Sequence, residues 1–358
     1  MALENSLYDI TQPLRYNQQN PPASERILKL PDSPIKTNIF GRTLNSPLGI
    51  PASPLTMSPE RIKDLALRGY DLITVKSSRS HFHTGNDFPH WMYVDSPNQL
   101  TVANFDDELM GDFNPFANQG VSTANSFGIA SEDPKKWIAD FEESQQYIAP
   151  GQILILSVMP STLQSETLIE DIQKLALQIE QTTAEIIELN LACPNTGGHG
   201  LIYQDLELST RLLKELQRLL PGRKIVAKIG YYPNQSELEQ FIFLNQELAG
   251  IASTNTFAMK IVDNHGAPAF GEKRLKAGVS GATIKNLSLQ QAGNLVDIRN
   301  KYGLKGSMWI IGIGGIVKPT DIEQYMYIAK VDAVQSAVGV WNNPNLAIDY
   351  RNLHMQEA

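Results

Sequence analysis

The sequence predicts an α/β protein built as a closed (β/α)8 barrel of the TIM type, with insertions after its second and sixth strands. Three observations predict it. Short, nearly continuous apolar strands recur eight times from residue 47 onward, helical periodicity fills the gaps, and two long breaks (about 77–133 and 256–286) both follow strand ends. The strands are read at 47–52, 71–76, 152–158, 184–190, 224–228, 249–254, 308–312 and 331–335. Their apolar continuity suits parallel strands covered on both faces.

Helices are expected at Ser58–Leu67, which opens Ser-Pro-Glu like a capped start, at Glu166–Thr182, and at Leu206–Leu220 before Pro221-Gly222. Residues 1–44, rich in Pro, Asn and Gln, read as an irregular N-terminal arm, and 45–358 as a single catalytic barrel domain. An open doubly wound sheet is the runner-up, but the early Gly-x-Gly-x-x-Gly turn it would need is missing.

A net charge of −8 and the lack of a basic stripe argue against nucleic acid or an anionic membrane as partner. No run of about 18 apolar residues and no signal-like start are found, so a cytoplasmic protein is expected. One cysteine rules out an intrachain disulfide and an iron–sulfur cluster held by this chain alone. The six histidines form no ligand pattern, and no metal is expected.

Polar residues that end apolar strands of one barrel converge on its mouth. In chain order these are Ala52 and Ser53, Lys76, Asn190 followed by Cys193 and Asn195, Lys228, Asn255 and Thr256, Gly314 and Gly315, and Ser336, with Asn125 on the first insertion. One lysine closing a strand would usually snorkel to solvent; two at the same mouth suit an anionic ligand or a reduced cofactor. The asparagines can each donate and accept, as a cyclic ureide edge requires, although any one of them is commonly a turn residue. Glycines after the seventh strand let backbone N–H groups approach a phosphate. A loop cysteine flanked by asparagines can reach a ligand where a core cysteine could not.

These pieces, in this order, resemble the class 1 dihydroorotate dehydrogenases, the soluble flavin enzymes whose base is cysteine. The resemblance runs from about 45 to 345. It is carried by Thr-Val-Lys-Ser-Ser (74–78), Gly-Asn-Asp-Phe-Pro (85–89), Asn-Ser-Phe-Gly (125–128), Glu-Leu-Asn-Leu-Ala-Cys-Pro-Asn (188–195), Ser-Thr-Asn-Thr (253–256), Gly-Val-Ser-Gly (278–281) and Ile-Ile-Gly-Ile-Gly-Gly-Ile (310–316). It implies FMN across the mouth, contacted by Ala52, Ser53, Lys76, Ser77, Asn190 and Asn255, with Lys228 near N1/O2 and Gly281, Gly314, Gly315 and Ser336 at the phosphate. It places substrate against Lys76, Asn125, Gly128, Ile129, Asn190, Asn195, Asn255 and Thr256. Catalysis falls to Cys193, removing the C5 proton of dihydroorotate as hydride leaves C6 for the flavin, with Lys76 beside it.

The implied reaction is oxidation of (S)-dihydroorotate to orotate in pyrimidine (UMP) biosynthesis, by a homodimer; the sequence leaves the electron acceptor open, and fumarate fits a stand-alone chain. An NAD-linked partner subunit and, less readily, a quinone are the other acceptors. A pyrimidine-base reductase of the dihydropyrimidine dehydrogenase type is the alternative. The acidic balance argues against a tRNA dihydrouridine synthase, and the completeness of the residue set argues against a barrel that has lost catalysis.

Overall fold

The computed structural model describes residues 7–22, 30–31, 35–117, 120–161, 167–192 and 201–355. Within residues 1–44 it contains helix α1 (Leu14–Gln19) and an antiparallel hairpin of β1 (Thr37–Ile39) and β2 (Arg42–Leu44). Their polar composition hides a few apolar residues, Leu7, Tyr8, Ile10, Leu14, Ile39, Phe40 and Leu44, that are all buried. Ile39, Phe40 and Leu44 pack into the barrel interior, and Phe40 stacks obliquely on Trp309 at 5.3 Å.

The barrel begins with β3 (Leu48–Ile50), helix α2 (Pro59–Leu67) and β4 (Leu72–Thr74). The first insertion then contributes β5 (Trp91–Asp95), β6 (Glu108–Asp112) and β7 (Ser122–Asn125) before helix α3 (Pro134–Gln145). Regular alternation follows: β8 (Ile153–Val158), α4 (Leu168–Ile179), β9 (Ile186–Asn190), α5 (Leu206–Leu219), β10 (Lys224–Ile229), α6 (Gln235–Leu244) and β11 (Gly250–Ser253). The second insertion holds β12 (Phe257–Val262) and β13 (Lys276–Gly281). Helix α7 (Lys285–Lys301), β14 (Trp309–Ile313), α8 (Pro319–Glu323), β15 (Ala333–Gln335), α9 (Val338–Asn342) and α10 (Leu346–Met355) complete the chain.

Eight parallel strands close in the order β10-β11-β14-β15-β3-β4-β8-β9, as the sequence predicts. Each lies inside or within a residue of its predicted span. Helix boundaries follow their caps. Pro59 occupies the first turn of α2 after Ser58, and α4 starts later than its periodicity suggests because Thr167 and Glu170 form a reciprocal capping box, with bonds of 3.2 and 3.0 Å.

The insertions are not loops. Their strands form a second, five-stranded closed barrel, β12-β13-β7-β5-β6, in which one insertion pairs with the other. Met92, Val94, Ala124, Phe257, Met259, Phe270 and Val279 give it a core of its own. This small barrel sits beyond the C-terminal ends of the main strands, so it walls the mouth with rigid structure.

Candidate active site

Strand parity decides what reaches the mouth. Successive side chains alternate faces. In β9, Ile186 packs in the barrel interior, so Glu188 and Asn190 follow it inward, one layer and two layers higher. The same rule carries Leu72 and Thr74 up to Lys76, Ile153 and Ile155 to Ser157, and Val226 to Lys228. Lys228 pairs in register with Asn190 on one side and Ala252 on the other.

One open cleft results, with an empty volume of about 1120 Å³ including its mouth. The structure brings together on its lining Ala52, Ser53, Lys76, Ser77, Asn125, Ile129, Asn190, Lys228, Asn255, Thr256, Gly281, Gly314, Gly315 and Ser336. Gly128 lies beside the cleft and not on its lining; its carbonyl and that of Ile129 accept bonds of 2.8 and 2.9 Å from the buried Arg79 guanidinium. Cys193 and Asn195 lie outside the described residues.

Beneath the lining runs a hydrogen-bonded relay through four strand ends. Ser157 Oγ donates to the Glu188 carboxylate at 2.8 Å and meets Ser77 Oγ at 2.8 Å. Asn190 Nδ2 donates to Ser77 Oγ at 3.2 Å, and Asn190 Oδ1 accepts from Asn255 Nδ2 at 3.2 Å. Asn255 Oδ1 accepts from the Thr256 N–H at 2.8 Å. Amides fixed at both ends, Asn190 buried and Asn255 half-buried, cannot rotate their donor and acceptor edges, so two carboxamides face a ligand in one defined sense. Across the cleft, Asn125 Nδ2 donates to the Gly278 carbonyl at 3.2 Å, and Lys76 Nζ donates to the Ala130 carbonyl.

Lys228 is the buried cation of the set. Burial pulls its ammonium below the ordinary lysine range, and the Glu188 carboxylate opposes that shift. The three histidines of the first insertion, His81, His83 and His90, are held below the usual imidazole value, chiefly by burial, and His83 falls to about 4.

The glycine turn after β14 is built by close approach. Gly314 and Gly315 have φ of 118° and 70°, and a Cβ on Gly315 would stand 2.4 Å from Lys285 Cα. Tyr325 Oη holds the Gly314 carbonyl at 2.7 Å, and Asp321 accepts from the N–H groups of Val317 and Lys318 at 3.0 and 3.1 Å while pairing with Lys285 Nζ at 3.0 Å. Asp321→Ala is therefore expected to cost about 2–4 kcal/mol of unfolding free energy, since one buried carboxylate holds three donors. A urea midpoint unchanged from wild type would contradict it. Ser336 lines the cleft, but its Oγ donates to the Ile316 carbonyl at 2.6 Å and accepts from the Gly339 N–H at 3.2 Å, so the hydroxyl ties two loops together.

Several lining residues were missed. Trp91 and Phe127 come from the insertions, where no strands were expected, and Thr254 and Gln335 follow the inward parity of β11 and β15 and could have been found by it. Gln335 Nε2 donates to Thr74 Oγ1 at 2.8 Å, and Thr254 Oγ1 meets Ser288 Oγ at 2.7 Å.

A family model described as dihydroorotate dehydrogenase matches residues 107–347, more than half of the chain. The chain belongs to the dihydroorotate dehydrogenase family. It is similar to a dihydroorotate dehydrogenase of Dictyostelium discoideum, 29% identical over 98% of both chains. It is also similar to the catalytic subunits of dihydroorotate dehydrogenase B (NAD(+)) from Pyrococcus furiosus, 25% identical over 86% of this chain and 87% of that one, and from Methanocaldococcus jannaschii, 22% identical over 86% and 87%. The chain is thus an oxidoreductase of the class acting on CH–CH groups, from a family that is flavin-dependent in general. Among the described residues no helix is long and apolar enough to cross a membrane, and no group of three or more His, Cys, Asp or Glu could hold a metal.

Proposed function

We propose that this chain is a class 1 enzyme that oxidises (S)-dihydroorotate to orotate, with FMN bound across the cleft and Cys193 as the base. The observation that carries the reading is the convergence of Lys76, Lys228, Asn125, Asn190 and Asn255 with the Gly314-Gly315 turn on one cleft. That set supplies cations for a carboxylate and for an electron-rich ring, fixed amide edges for a ureide, and a tight turn for a phosphate.

The residues fit FMN on this chain's own features. A buried ammonium whose charged form is disfavoured gains from an anionic neighbour, and Lys228 is such a group. Glycines with left-handed backbone at Gly281, Gly314 and Gly315 line the same cleft, where a phosphate needs close backbone approach. FMN, when bound, supplies the two-electron acceptor that protein side chains lack. Lys228 would stabilise negative charge at its pyrimidine edge, Asn190, Asn255 and Asn125 would orient the substrate ring, and Lys76 would pair with its carboxylate. Cys193 Sγ would take the C5 proton.

The relatives' names favour dihydroorotate over a pyrimidine base reduced in the manner of dihydropyrimidine dehydrogenase. A homodimer in the cytoplasm, using fumarate as acceptor, is the simplest assembly for a chain with one cysteine. The names of the Pyrococcus and Methanocaldococcus relatives favour a second reading, transfer to NAD(+) through a partner subunit. One experiment tests cofactor, substrate and acceptor together: FMN-loaded protein is mixed anaerobically with dihydroorotate and its flavin absorbance followed, then fumarate, or NAD(+) with a flavin reductase subunit, is added. Bleaching by dihydroorotate is expected, and the reagent that restores colour names the acceptor. Protein that binds no FMN, or that dihydroorotate leaves coloured, overturns the proposal.

A further inference from the structure

We infer that the N-terminal arm braces the ligand cleft from behind, with Tyr8 as a positioning residue for its aromatic wall. Tyr8 is 1% exposed, although its segment reads as a polar, proline-broken lead-in. Its ring lies 5.6 Å from Trp91 and 6.0 Å, edge-on, from Phe127. Both of those rings line the cleft. The Tyr8 carbonyl accepts from Trp341 Nε1 at 2.9 Å, and the Trp341 ring in turn lies 4.8 Å from Trp91. Tyr8 therefore closes a cage of rings around the back of Trp91.

The arm is fastened firmly enough to act as a wall. Buried Arg61 donates to the carbonyls of Leu7 and, at 2.6 Å, Asn17. Asn17 exchanges two hydrogen bonds with the Asp9 backbone, at 2.8 and 2.9 Å. Gln18 Nε2 reaches Glu132 Oε1 at 2.9 Å, just past the segment that carries Phe127 and Ile129. Trp91 stands directly opposite Asn125 in the β5–β7 ladder. A shift of Trp91 or Phe127 is thus passed through one register pair and one short loop to Asn125 and Ile129.

The role on the substrate side rests on the proposed function. The arm itself can be tested independently of it. FMN-loaded full-length Tyr8→Ala and Tyr8→Phe are compared with wild type well below their melting temperatures, measuring orotate Kd by flavin absorbance and kcat and KM for dihydroorotate. Tyr8→Ala is expected to raise Kd and KM about tenfold with a smaller change in kcat, and Tyr8→Phe to return both to within about twofold, because ring contact and not the hydroxyl is responsible. Tyr8→Leu, which keeps apolar volume without the ring, replaces the alanine variant if that one does not fold, with the same expectation. An arm that only stabilises the fold would lower the melting temperature and leave Kd and KM unmoved, and that result overturns the inference. Should wild type neither bind orotate nor oxidise dihydroorotate, the functional reading fails first. The wall is then read from FMN Kd by fluorescence quenching, where an unchanged value in Tyr8→Ala overturns it.

Discussion

Replacing Cys193 with alanine is expected to leave a protein that still takes up FMN but whose reduction by dihydroorotate slows by at least about a hundredfold, the usual contribution of a positioned general base. The reasoning is by function of groups. The cleft residues that surround the proposed substrate site are cations and amides, Lys76, Lys228, Asn125, Asn190 and Asn255, and neither an ammonium nor a carboxamide accepts a carbon-bound proton at neutral pH. The histidines of the first insertion, His81, His83 and His90, have their pKa values lowered by burial, and none of the three is on the lining. The lining hydroxyls, Ser53, Ser77, Thr256 and Ser336 among them, do not ionise near neutral pH, so the proposed base is the thiol of Cys193, the chain's sole cysteine.

The same argument fixes a pH dependence. A free thiol ionises near about 8.5, so flavin reduction should accelerate as pH rises from about 6 to about 9. A histidine base would saturate lower; with these imidazoles shifted downward, the rise above pH 7 belongs to sulfur. Stopped-flow reduction of the bound flavin across that range is the measurement. Near-normal reduction in Cys193→Ala, or a rate flat from pH 6 to 9, removes the cysteine from this role.

Most of the barrel was legible because its strands obey a strong rule: a parallel strand covered on both faces must be a short apolar run, and the polar residue that ends it stands at the mouth. Lys76, Asn190 and Lys228 are such endings, and all three line the cleft. The small barrel was not legible, because its strands are short and mixed in character. Glu108–Asp112 shows no apolar alternation, and its pairing partner Phe257–Val262 lies far along the chain. Non-local pairing between two insertions leaves no local periodicity to detect. The arm hid for a related reason: Tyr8 and Leu14 are buried by what they meet, not by a pattern around them. Ser336 shows the limit of reading a hydroxyl from its address. It sits at the predicted turn, but being one residue out of step with inward-facing Gln335, it turns its Oγ into the loop.

Exchanging Lys228 for methionine is expected to slow flavin reduction by about 10²–10³-fold, the cost of deleting one preorganised electrostatic partner. Its effect on stability separates chemistry from folding. Glu188 is 1% exposed, and the Lys228 ammonium is the charge that opposes it. Methionine alone therefore removes the opposing charge from a buried carboxylate and is expected to lower stability. Adding Glu188→Gln removes that carboxylate while keeping an acceptor for Ser157 Oγ, so the double variant should recover stability toward wild type and recover no activity. The pH response gives a further check. Burial lowers the native pKa of Lys228 below its unfolded value, so the unfolded chain binds the proton more tightly. The resulting destabilisation is fully present below the native pKa. It fades as pH rises toward the unfolded lysine value of about 10.4, so wild-type apoprotein gains stability from this group on the alkaline side. The double variant lacks that gain, and the stability difference between the two proteins should shift in favour of wild type as pH increases. Urea unfolding of both at a series of pH values measures it. A difference independent of pH, or a double variant that reduces flavin at the wild-type rate, would show that Lys228 is not the buried cation on which the electron-rich ring depends.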